Sequence, residues 1–457
     1  MTSTGVYLND AAFAVSGRDR PNVVIPSIVH FDPAHPEKLG SPASDVARVT
    51  PRLVSADHWT ALMRAGREVS SGVRLIIRAE LRARLAGRPT DGPLQCAVPA
   101  ALGSEALSVV LALMQQEGLE VGAFHDAASL LVANSGLSGT TIVLEMGLGH
   151  VSATRVESDR DVHRGASTTR YGAGVLALNQ CWLQRLAEAM VLHTRFDPLH
   201  DGLSEQRLHD GLETAYSTAA RTGVAEIAVP TETGVSRVSF SRDQFAEAAS
   251  SIYAEVLGIL HEHRSAGSRT NILVEDRVLK FPGFLERLAS LRGCRIFSYA
   301  TDLVSRIAAD ESISAESDGS VSFQRRYSLR QASENLAEVD LSGFRSAADC
   351  PPTHALLDGK AVALPSGILE IGRGSDVDGL RLGEGLAGIS RLHCALQGDE
   401  SGVTLVPYSP QGTWLNEERV RGRVRVCSGD RLRIGTPGVV IELIAVGGAD
   451  HGAPSER

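Results

Sequence analysis

The lysines of this 457-residue chain are too few and wrongly placed for the usual phosphoryl-transfer sites. Its three lysines are Lys38, Lys280 and Lys360, and none is followed by Ser or Thr, so the G-K-[ST] of a Walker-A phosphate loop is absent. The chain has no V-A-I-K strand and no H-R-D segment, which excludes a protein kinase of the usual kind. It also has neither H-E-x-x-H nor G-x-S-x-G. We therefore expect no enzyme, no bound metal and no cofactor.

Composition and charge restrict the class of protein further. Hydrophobic residues make up 43% of the chain and charged residues 22%, which is ordinary globular composition, and the length is enough for several domains. The net charge of −9 disfavours binding to nucleic acid or to anionic membranes. No run of about 18 apolar residues occurs, and the six cysteines show no C-x-x-C spacing. We expect a cytoplasmic protein with no nucleic-acid and no membrane partner.

Residues 1–312 have the pattern of a layered α/β domain. Short apolar segments alternate with longer segments whose apolar residues recur at helical spacing, and Gly118 supplies a helix stop. The predicted strands include 94–98 and 141–146, and the predicted helices include 104–117, 175–193 and 242–263.

The rest of the chain divides into three parts. Residues 313–352 are Ser-rich and polar and end in Pro351-Pro352, so we predict a linker without a core of its own. Short β-like runs at close spacing over 353–448 predict a small all-β sandwich. Residues 449–457 are predicted to be a disordered tail.

Three fragments of the sandwich region resemble, in the same order, the motifs of the forkhead-associated (FHA) domain family. They are Gly372-Arg373, Ser390-Arg391-Leu392-His393 and Gly412-Thr413-Trp414-Leu415-Asn416, and SGDRLRIG follows them. The resemblance covers residues 354 to 446. It implies a sandwich whose loops at one end bind a phosphothreonine peptide.

The resemblance also implies a role for each motif residue. Arg373 offers a permanently charged, planar set of donors for phosphate oxygens, Ser390 offers a hydroxyl to the same phosphate, and Arg391 lies beside it. Gln411 stands where many FHA domains have Asn, and its amide would hold the main chain of the peptide. The residues expected to brace the loops are His393, Thr413 and Asn416. The alternative is a sandwich that has kept this turn chemistry and lost its ligand.

Residues 1–312 resemble the actin-like ATPase superfamily and, within it, the DnaK-type heat-shock chaperones. The similar segments, in order, are GVYLNDAAFAVSG, VPAALGSEAL, GLEVGAFHDAASLLVANSG, TIVLEMGLGHVSATRV, RYGAGVLALNQ, NILVEDRVLKFPGF and YATDLVSRIAAD. The implied fold of the whole chain is multidomain: an α/β two-lobed actin/DnaK-like ATPase fold followed by an all-β FHA sandwich.

The nucleotide loops of this resemblance depart from the family pattern. Tyr7 stands where the first Asp is expected, Asn9 where a Gly is expected, and Asp10 where a hydroxyl residue is normal. Later in the chain, Glu275-Asp276-Arg277 replaces the Gly-Gly-Ser that lets a nucleoside approach. We therefore predict a pseudo-ATPase.

The second nucleotide loop keeps more of the family pattern. It retains Glu145, Gly147 and Gly149. The two glycines also suit a tight hairpin with no ligand, and Asp10 and Glu145 together could hold a cation. Residual nucleotide binding at Asp10, Glu145 and the two glycines therefore stays an alternative.

The sequence favours a non-catalytic adaptor. Its FHA domain would bind a phosphothreonine on a partner, and the degenerate ATPase-like domain would contribute a second protein-binding surface. The fusion resembles architectures of bacterial signalling, so a Ser/Thr kinase or its substrate is the expected partner. The alternatives are an active nucleotide-driven chaperone or filament protein targeted by its FHA domain, and a structural scaffold. Arg325-Arg326-Tyr327-Ser328 also matches a site for a basic-directed Ser kinase.

Overall fold

The structure is a computed structural model, and the chain divides into two units. The first contains Met1–His263 and Thr270–Val339, and the second contains Arg264–Arg269 and Asp340–Arg457. The residues that the structure describes are 3–17, 20–32, 37–85, 92–231, 234–264, 269–291, 293–311, 320–330, 336–341, 351–357, 359–374, 379–383, 388–399, 402–436 and 438–445.

The first unit contains both strands and helices. Its strands are β1 (Thr4–Tyr7), β2 (Phe13–Gly17), β3 (Arg20–Ile25), β4 (Val29–His30), β5 (Lys38–Leu39), β6 (Val54–Ser55), β7 (Leu94–Val98), β8 (Val121–Asp126), β9 (Gly139–Met146), β10 (His150–Ser158), β11 (Asp161–Tyr171), β12 (Val224–Thr231), β13 (Gly234–Ser241), β14 (Thr270–Glu275), β15 (Cys294–Tyr299), β16 (Ser322–Gln324), β17 (Arg326–Ser328) and β18 (Leu336–Glu338). Its helices are α1 (Ser41–Ser44), α2 (His58–Ala65), α3 (Ser71–Leu85), α4 (Ser104–Gln116), α5 (Ala127–Ala133), α6 (Val175–Thr194), α7 (Gly202–Thr222), α8 (Arg242–Ala248), α9 (Ser250–His263), α10 (Phe284–Ala289) and α11 (Leu303–Ala309), with 3₁₀ turns at Gly66–Glu68 and Val278–Lys280. Across the described residues, no helix is long and apolar enough to cross a membrane.

The two large sheets of this unit share one plan. The six-stranded sheet has the order β16-β8-β7-β1-β2-β3, and the seven-stranded sheet has the order β17-β11-β10-β9-β14-β15-β18. In the first, β1 begins an antiparallel meander with β2 and β3 and also pairs parallel with β7, which pairs parallel with β8. In the second, β9, β10 and β11 form the meander, and β14 and β15 are the parallel strands. The same arrangement therefore occurs twice.

Helices α5 and α11 join the two sheets through one buried cluster. The cluster contains Tyr7 and Ala97 from the six-stranded sheet, Val143 and Phe297 from the seven-stranded sheet, and the apolar residues of both helices. The helix α11 lies directly on β1, where a Cβ at Gly5 would stand 1.9 Å from the Ser305 carbonyl oxygen. Only glycine permits this close approach.

Several elements were predicted from the sequence. The strand 94–98 is confirmed, and the helix predicted over 104–117 is α4, after which Gly118 has φ of +68°. The helix predicted over 242–263 is two helices, because α8 ends at Ala248 and α9 begins at Ser250. Two serines, Ser250 and Ser251, follow the break, and serine favours helix ends over helix interiors.

Residues 320–330 and 336–339, here termed the bridging segment, pair with both sheets of the first unit. Strand β16 adds to β8, whereas β17 adds to β11 and β18 to β15 at the two edges of the seven-stranded sheet. Phe323, Tyr327 and Leu336 pack against the core clusters. This differs from the predicted free linker over 313–352, because a few spaced apolar residues suffice for short edge strands when existing sheets supply the partners. Residues 313–319, 331–335 and 342–350 of that linker, and the tail predicted at 449–457, lie outside the described residues.

The second unit is a sandwich of two sheets. Its strands are β19 (His354–Leu357), β20 (Lys360–Ala363), β21 (Ile368–Gly372), β22 (Gly379–Arg381), β23 (Cys394–Asp399), β24 (Gly402–Pro407), β25 (Thr413–Leu415), β26 (Glu418–Arg419), β27 (Val424–Val426), β28 (Arg431–Ile434) and β29 (Val439–Ile444). The sheet orders are β20-β19-β29-β28-β25-β26 and β22-β21-β23-β24-β27. The inward side chains of both sheets form one apolar core, in agreement with the small all-β sandwich predicted from the short β-like runs.

A fragment that ends at residue 341 should be more stable than one that ends at residue 311. The shorter fragment lacks β16, β17 and β18, and it exposes the surfaces against which Phe323 and Tyr327 pack. Both rings are partly buried, so together they should contribute about 1.5–3 kcal/mol, roughly the value for full burial of one such side chain. Urea denaturation of both fragments, followed by circular dichroism, measures the difference. Equal midpoints would show that the bridging segment adds nothing to the first unit.

Candidate functional site

Three loops meet at one end of the sandwich because of the strand register. Strands β21 and β23 pair antiparallel with Ile371 opposite Cys394, and β24 pairs with β23 so that Pro407 is opposite the same cysteine. The end of β21, the start of β23 and the end of β24 therefore lie side by side. The phosphate-binding residues implied by the sequence follow or precede these three strand ends.

Arg373 is anchored at the root of its guanidinium. It follows β21, its backbone N–H donates to the Ser390 carbonyl over 3.2 Å, and its Nε donates to the Ile389 carbonyl over 2.6 Å. The side chain is exposed, and among the described residues no acceptor binds its two terminal nitrogens. The Nε bond therefore holds the base of the guanidinium in place, and the group carries its further donors on the two terminal nitrogens.

A pair of hydroxyls lies beside this arginine. The Oγ atoms of Ser390 and Ser409 are 2.6 Å apart, and Ser409 Oγ also accepts from the Gln411 backbone N–H over 3.1 Å. The sequence reasoning missed Ser409. Its position two residues before Gln411 was the available signal, because serine hydroxyls commonly accept from the backbone N–H two residues later in a turn.

His393 connects two of the loops. Its ring is buried, its Nδ1 accepts from the Ser390 backbone N–H over 3.2 Å, and its Nε2 donates to the Gly412 carbonyl over 2.7 Å. Burial lowers the pKa of His393, although the hydrogen bond to Gly412 opposes this effect. The neutral ring with its proton on Nε2 satisfies both bonds.

The other two residues predicted to brace the loops act elsewhere. Asn416 has φ of 51°, its Nδ2 donates to Asp430 Oδ1 over 2.7 Å, and its Oδ1 accepts from the Arg431 backbone N–H over 2.8 Å. It follows Leu415, so it lies at the end of β25 away from Gly412. Thr413 is buried, and in the described part of the chain its Oγ1 has no hydrogen-bond partner. Asn416 thus stabilises a distant turn, and Thr413 contributes packing.

Two exposed side chains complete this end of the sandwich. Arg391 and Gln411 are both exposed. The Arg391 carbonyl accepts from the Gly374 N–H over 2.9 Å, and a Cβ at Gly372 would stand 1.9 Å from the same oxygen. Glycine at 372 therefore lets the Arg373 and Arg391 loops approach closely. Two exposed arginines and a hydroxyl pair on adjacent loops have the chemistry that suits a doubly charged phosphate.

The nucleotide-loop residues of the first unit form a second, buried group. The Tyr7 hydroxyl donates to Glu145 Oε1 over 2.9 Å, the Ala100 N–H donates to Glu145 Oε2 over 3.0 Å, and Asn9 Nδ2 donates to the Tyr7 oxygen over 3.3 Å. Burial raises the pKa of the Glu145 carboxyl to about 7, against the opposing hydrogen bonds from Ala100 and Tyr7. These contacts join the two sheets directly.

The hairpin after β9 closes on Asp10. The Leu148 N–H donates to Asp10 Oδ1 over 2.8 Å, and the Gly147 N–H donates to the His150 carbonyl over 2.9 Å. A Cβ at Gly147 would lie 2.5 Å from Asp10 Oδ1, and one at Gly149 would lie 2.4 Å from Thr60 Oγ1. Both glycines thus permit close packing. No group of three potential metal ligands occurs among the residues that the structure describes.

Arg277 also turns inward. Its Nε lies 2.9 Å from Glu275 Oε1, and its terminal nitrogen donates to the Met146 carbonyl. Both Glu275 and Glu145 are buried. Arg277 therefore pairs with Glu275 and binds the end of β9, whereas Asp276 is exposed and accepts from the Thr301 hydroxyl over 2.9 Å.

Comparison with known families identifies residues 369–435 as an FHA domain. The matched range contains the three motifs from which this resemblance was stated, and the resemblance is confirmed for this part of the chain. The match does not extend to the first unit, so its relation to actin-like and DnaK-like ATPases stays a prediction. A comparison of the chain with curated proteins gave no match.

The buried carboxyl of Glu145 should make the stability of the protein depend on pH. Its pKa of about 7 in the folded state is above the ordinary 4.5, so the folded protein binds this proton more tightly than the unfolded chain. The contribution of the protonated Glu145 carboxyl to the free energy of unfolding is full below pH 4.5 and is lost as pH rises through about 7. Relative to wild type, Glu145→Gln should gain about 1–3 kcal/mol of unfolding free energy between pH 5 and pH 8.

Urea denaturation of both proteins at four pH values tests this. The exposed Glu188 is a matched control, and Glu188→Gln should show no such trend. A difference between wild type and Glu145→Gln that does not change with pH would contradict the expected titration.

Proposed function

We propose that this protein is a non-catalytic adaptor whose FHA domain binds a phosphothreonine segment of a partner protein. FHA domains bind phosphothreonine-containing proteins in general, which supports this role for residues 369–435. The observation that carries the proposal is the convergence of Arg373, Ser390 and Arg391 at one end of the sandwich, with the two guanidiniums exposed.

The chemistry of this group favours binding without reaction. A phosphothreonine carries a charge of about −1.5 to −2 and three acceptor oxygens. Arg373 presents two terminal donors, and the hydroxyl pair of Ser390 and Ser409 offers a further proton. Gln411 lies exposed beside the pair, where its amide can bind the peptide main chain. Guanidinium, hydroxyl and amide groups bind phosphate and peptide through hydrogen bonds, which supports a binding role for this site.

We further propose that the first unit is a degenerate actin/DnaK-like domain that serves as a second protein-binding surface. The strand order that occurs in both sheets supports a two-lobed fold. The nucleotide-loop residues form hydrogen bonds within the protein, which supports a pseudo-ATPase. The Leu148 N–H donates to Asp10, and the Tyr7 hydroxyl donates to the Glu145 carboxylate. Backbone amides that bind their own chain are not available to phosphate.

The proposed partner is a Ser/Thr kinase or one of its substrates, in bacterial cytoplasmic signalling. Ser/Thr kinases produce phosphothreonine on proteins, so binding by a phosphothreonine-specific domain depends on the activity of such a kinase. The fusion of this domain with a large α/β unit supports an adaptor that connects the phosphorylated protein with another protein.

The first test of this function is the binding of phosphothreonine peptides to the full chain. We expect micromolar dissociation constants, roughly −7 to −8 kcal/mol, and little binding by the unphosphorylated peptides. Arg373→Ala should cost about 2 kcal/mol because it removes a charge-assisted bond to a dianion, and Ser390→Ala should cost about 1 kcal/mol. Isothermal titration with a phosphopeptide library measures these changes.

Arg431→Ala is the matched control for Arg373→Ala. Arg431 is 63% exposed, and it begins β28 opposite the end of β25 that lies away from Gly412. Its removal should leave the peptide affinity unchanged. Equal titration curves for wild type and Arg373→Ala would overturn the assignment of the phosphate site.

The second test is hydrolysis of Mg-ATP, for which we expect no activity above background. Each lost electrostatic contact to a phosphoryl-transfer transition state costs on the order of 10²–10³ in rate, and the residues at several of these positions bind each other instead. Phosphate release by wild type and by Glu145→Ala should be the same. Hydrolysis that Glu145→Ala abolishes, or a stoichiometric micromolar isotherm with Mg-ATP, would favour the active chaperone or filament protein.

A further inference from the structure

The bridging segment presents a serine on the outer edge of the seven-stranded sheet. Strand β17 has three residues and pairs on one side with β11, with Ser328 opposite Asp161. Ser328 is exposed, and its Oγ donates to Asp161 Oδ1 over 3.1 Å. A short edge strand of this kind opens at little cost compared with the strands of the core.

The residues before this serine are basic and exposed. Arg325 and Arg326 stand three and two positions before Ser328, and all three are exposed. The Arg325 guanidinium lies 4.4 Å from the centre of the Phe323 ring. Extended backbone with two accessible guanidiniums before an accessible hydroxyl is what a basic-directed Ser kinase requires, since its acidic residues pair with those guanidiniums.

We propose that Ser328 is a phosphorylation site and that its modification releases β17 from β11. The kinase supplies a nucleoside triphosphate as the donor. The Ser328 oxygen forms a bond to the γ-phosphorus, the bond from that phosphorus to the bridging oxygen breaks, and the diphosphate leaves. The serine proton passes to a base of the kinase.

Charge is the reason for the release. The new phosphate carries about −1.5 to −2 charges, and it replaces the proton that Ser328 gives to the Asp161 carboxylate. A phosphate next to an acidic side chain disrupts local structure by like-charge repulsion. Arg326 and Arg330 lie on the same face of the extended chain, but Arg330 is already bound to Glu311. The charged group that contacts the Ser328 hydroxyl directly is the Asp161 carboxylate, so a phosphate on this oxygen is placed against that carboxylate.

Release of β17 would also break a side-chain contact between the two sheets. Between the exposed residues of β17, Tyr327 points inward, and its hydroxyl lies 2.9 Å from Nδ1 of His125, which belongs to β8 of the six-stranded sheet. The other ring nitrogen of His125 lies 2.8 Å from Gln95 Oε1. When β17 separates from β11, His125 loses its contact with the Tyr327 hydroxyl. Phosphorylation of the bridging segment would thus weaken the connection between the two sheets.

The first experiment phosphorylates the full chain with a purified Ser/Thr kinase that prefers Arg two and three positions before serine. Peptide mass spectrometry should find phosphate on Ser328 in wild type and in the control Ser322→Ala, which alters another serine of the bridging segment. Ser328→Ala should lose it, and Arg326→Ala should slow its addition about tenfold, as expected for the loss of one ionic contact with the kinase. Absence of phosphate on Ser328 in wild type would overturn the proposal.

The second experiment compares hydrogen exchange in the phosphorylated and unmodified chains. Amides of 326–328 and 161–163 should exchange about tenfold faster after phosphorylation, whereas the β12–β13 hairpin should not change. In the Asp161→Asn variant the phosphate should have a smaller effect. Unchanged or slower exchange in wild type would overturn the release, and an equal effect in Asp161→Asn would overturn repulsion as its cause.

Discussion

The two hydrogen bonds of His393 fix the separation between the loop before β23 and the residue before β25. One ring nitrogen accepts from the Ser390 amide and the other donates to the Gly412 carbonyl, so a single protonation state satisfies both. Burial lowers the pKa of the ring, which favours that neutral state. Ser390 in turn receives the Arg373 amide at its carbonyl and contacts Ser409 through its hydroxyl. The positions of Ser390 and, through it, of Arg373 and Ser409 therefore depend on this buried imidazole.

The polar residues at the end of the sandwich and those of the first unit differ in whether their hydrogen-bonding groups face solvent or the protein interior. In the sandwich, backbone groups and the buried histidine hold the loops, and the guanidiniums of Arg373 and Arg391 remain exposed. In the first unit, Tyr7, Asp10 and Glu145 bind within the protein and are all buried. A site for a charged ligand must leave donors for that ligand, since buried polar groups otherwise satisfy one another. This contrast is the physical basis for the proposal that the sandwich binds a ligand and that the buried polar residues of the first unit do not.

Sequence patterns predicted the elements better than they predicted the contacts between them. The strand 94–98, the helix after Gly103 and the three FHA motifs could be recognised because periodicity and motif order are local properties. The pairing of Ser409 with Ser390 depends on a strand register that no local pattern specifies. Asn416 was grouped with the loop-bracing residues because it matches a motif position of the FHA family, although a three-residue strand separates it from Gly412. The side-chain partners of Ser409 and Asn416 can be identified only once the fold is known.

The bridging segment shows why a polar composition does not by itself indicate a free linker. A segment that must form its own core needs many apolar residues, whereas a strand added to an existing edge gains its backbone hydrogen bonds from the sheet and needs only one inward side chain. Tyr327 is that side chain in β17, and its hydroxyl reaches His125 of the other sheet. Few buried groups hold such a strand, so its attachment can be altered by a single surface charge. The order of this segment and its sensitivity to modification therefore have the same physical origin.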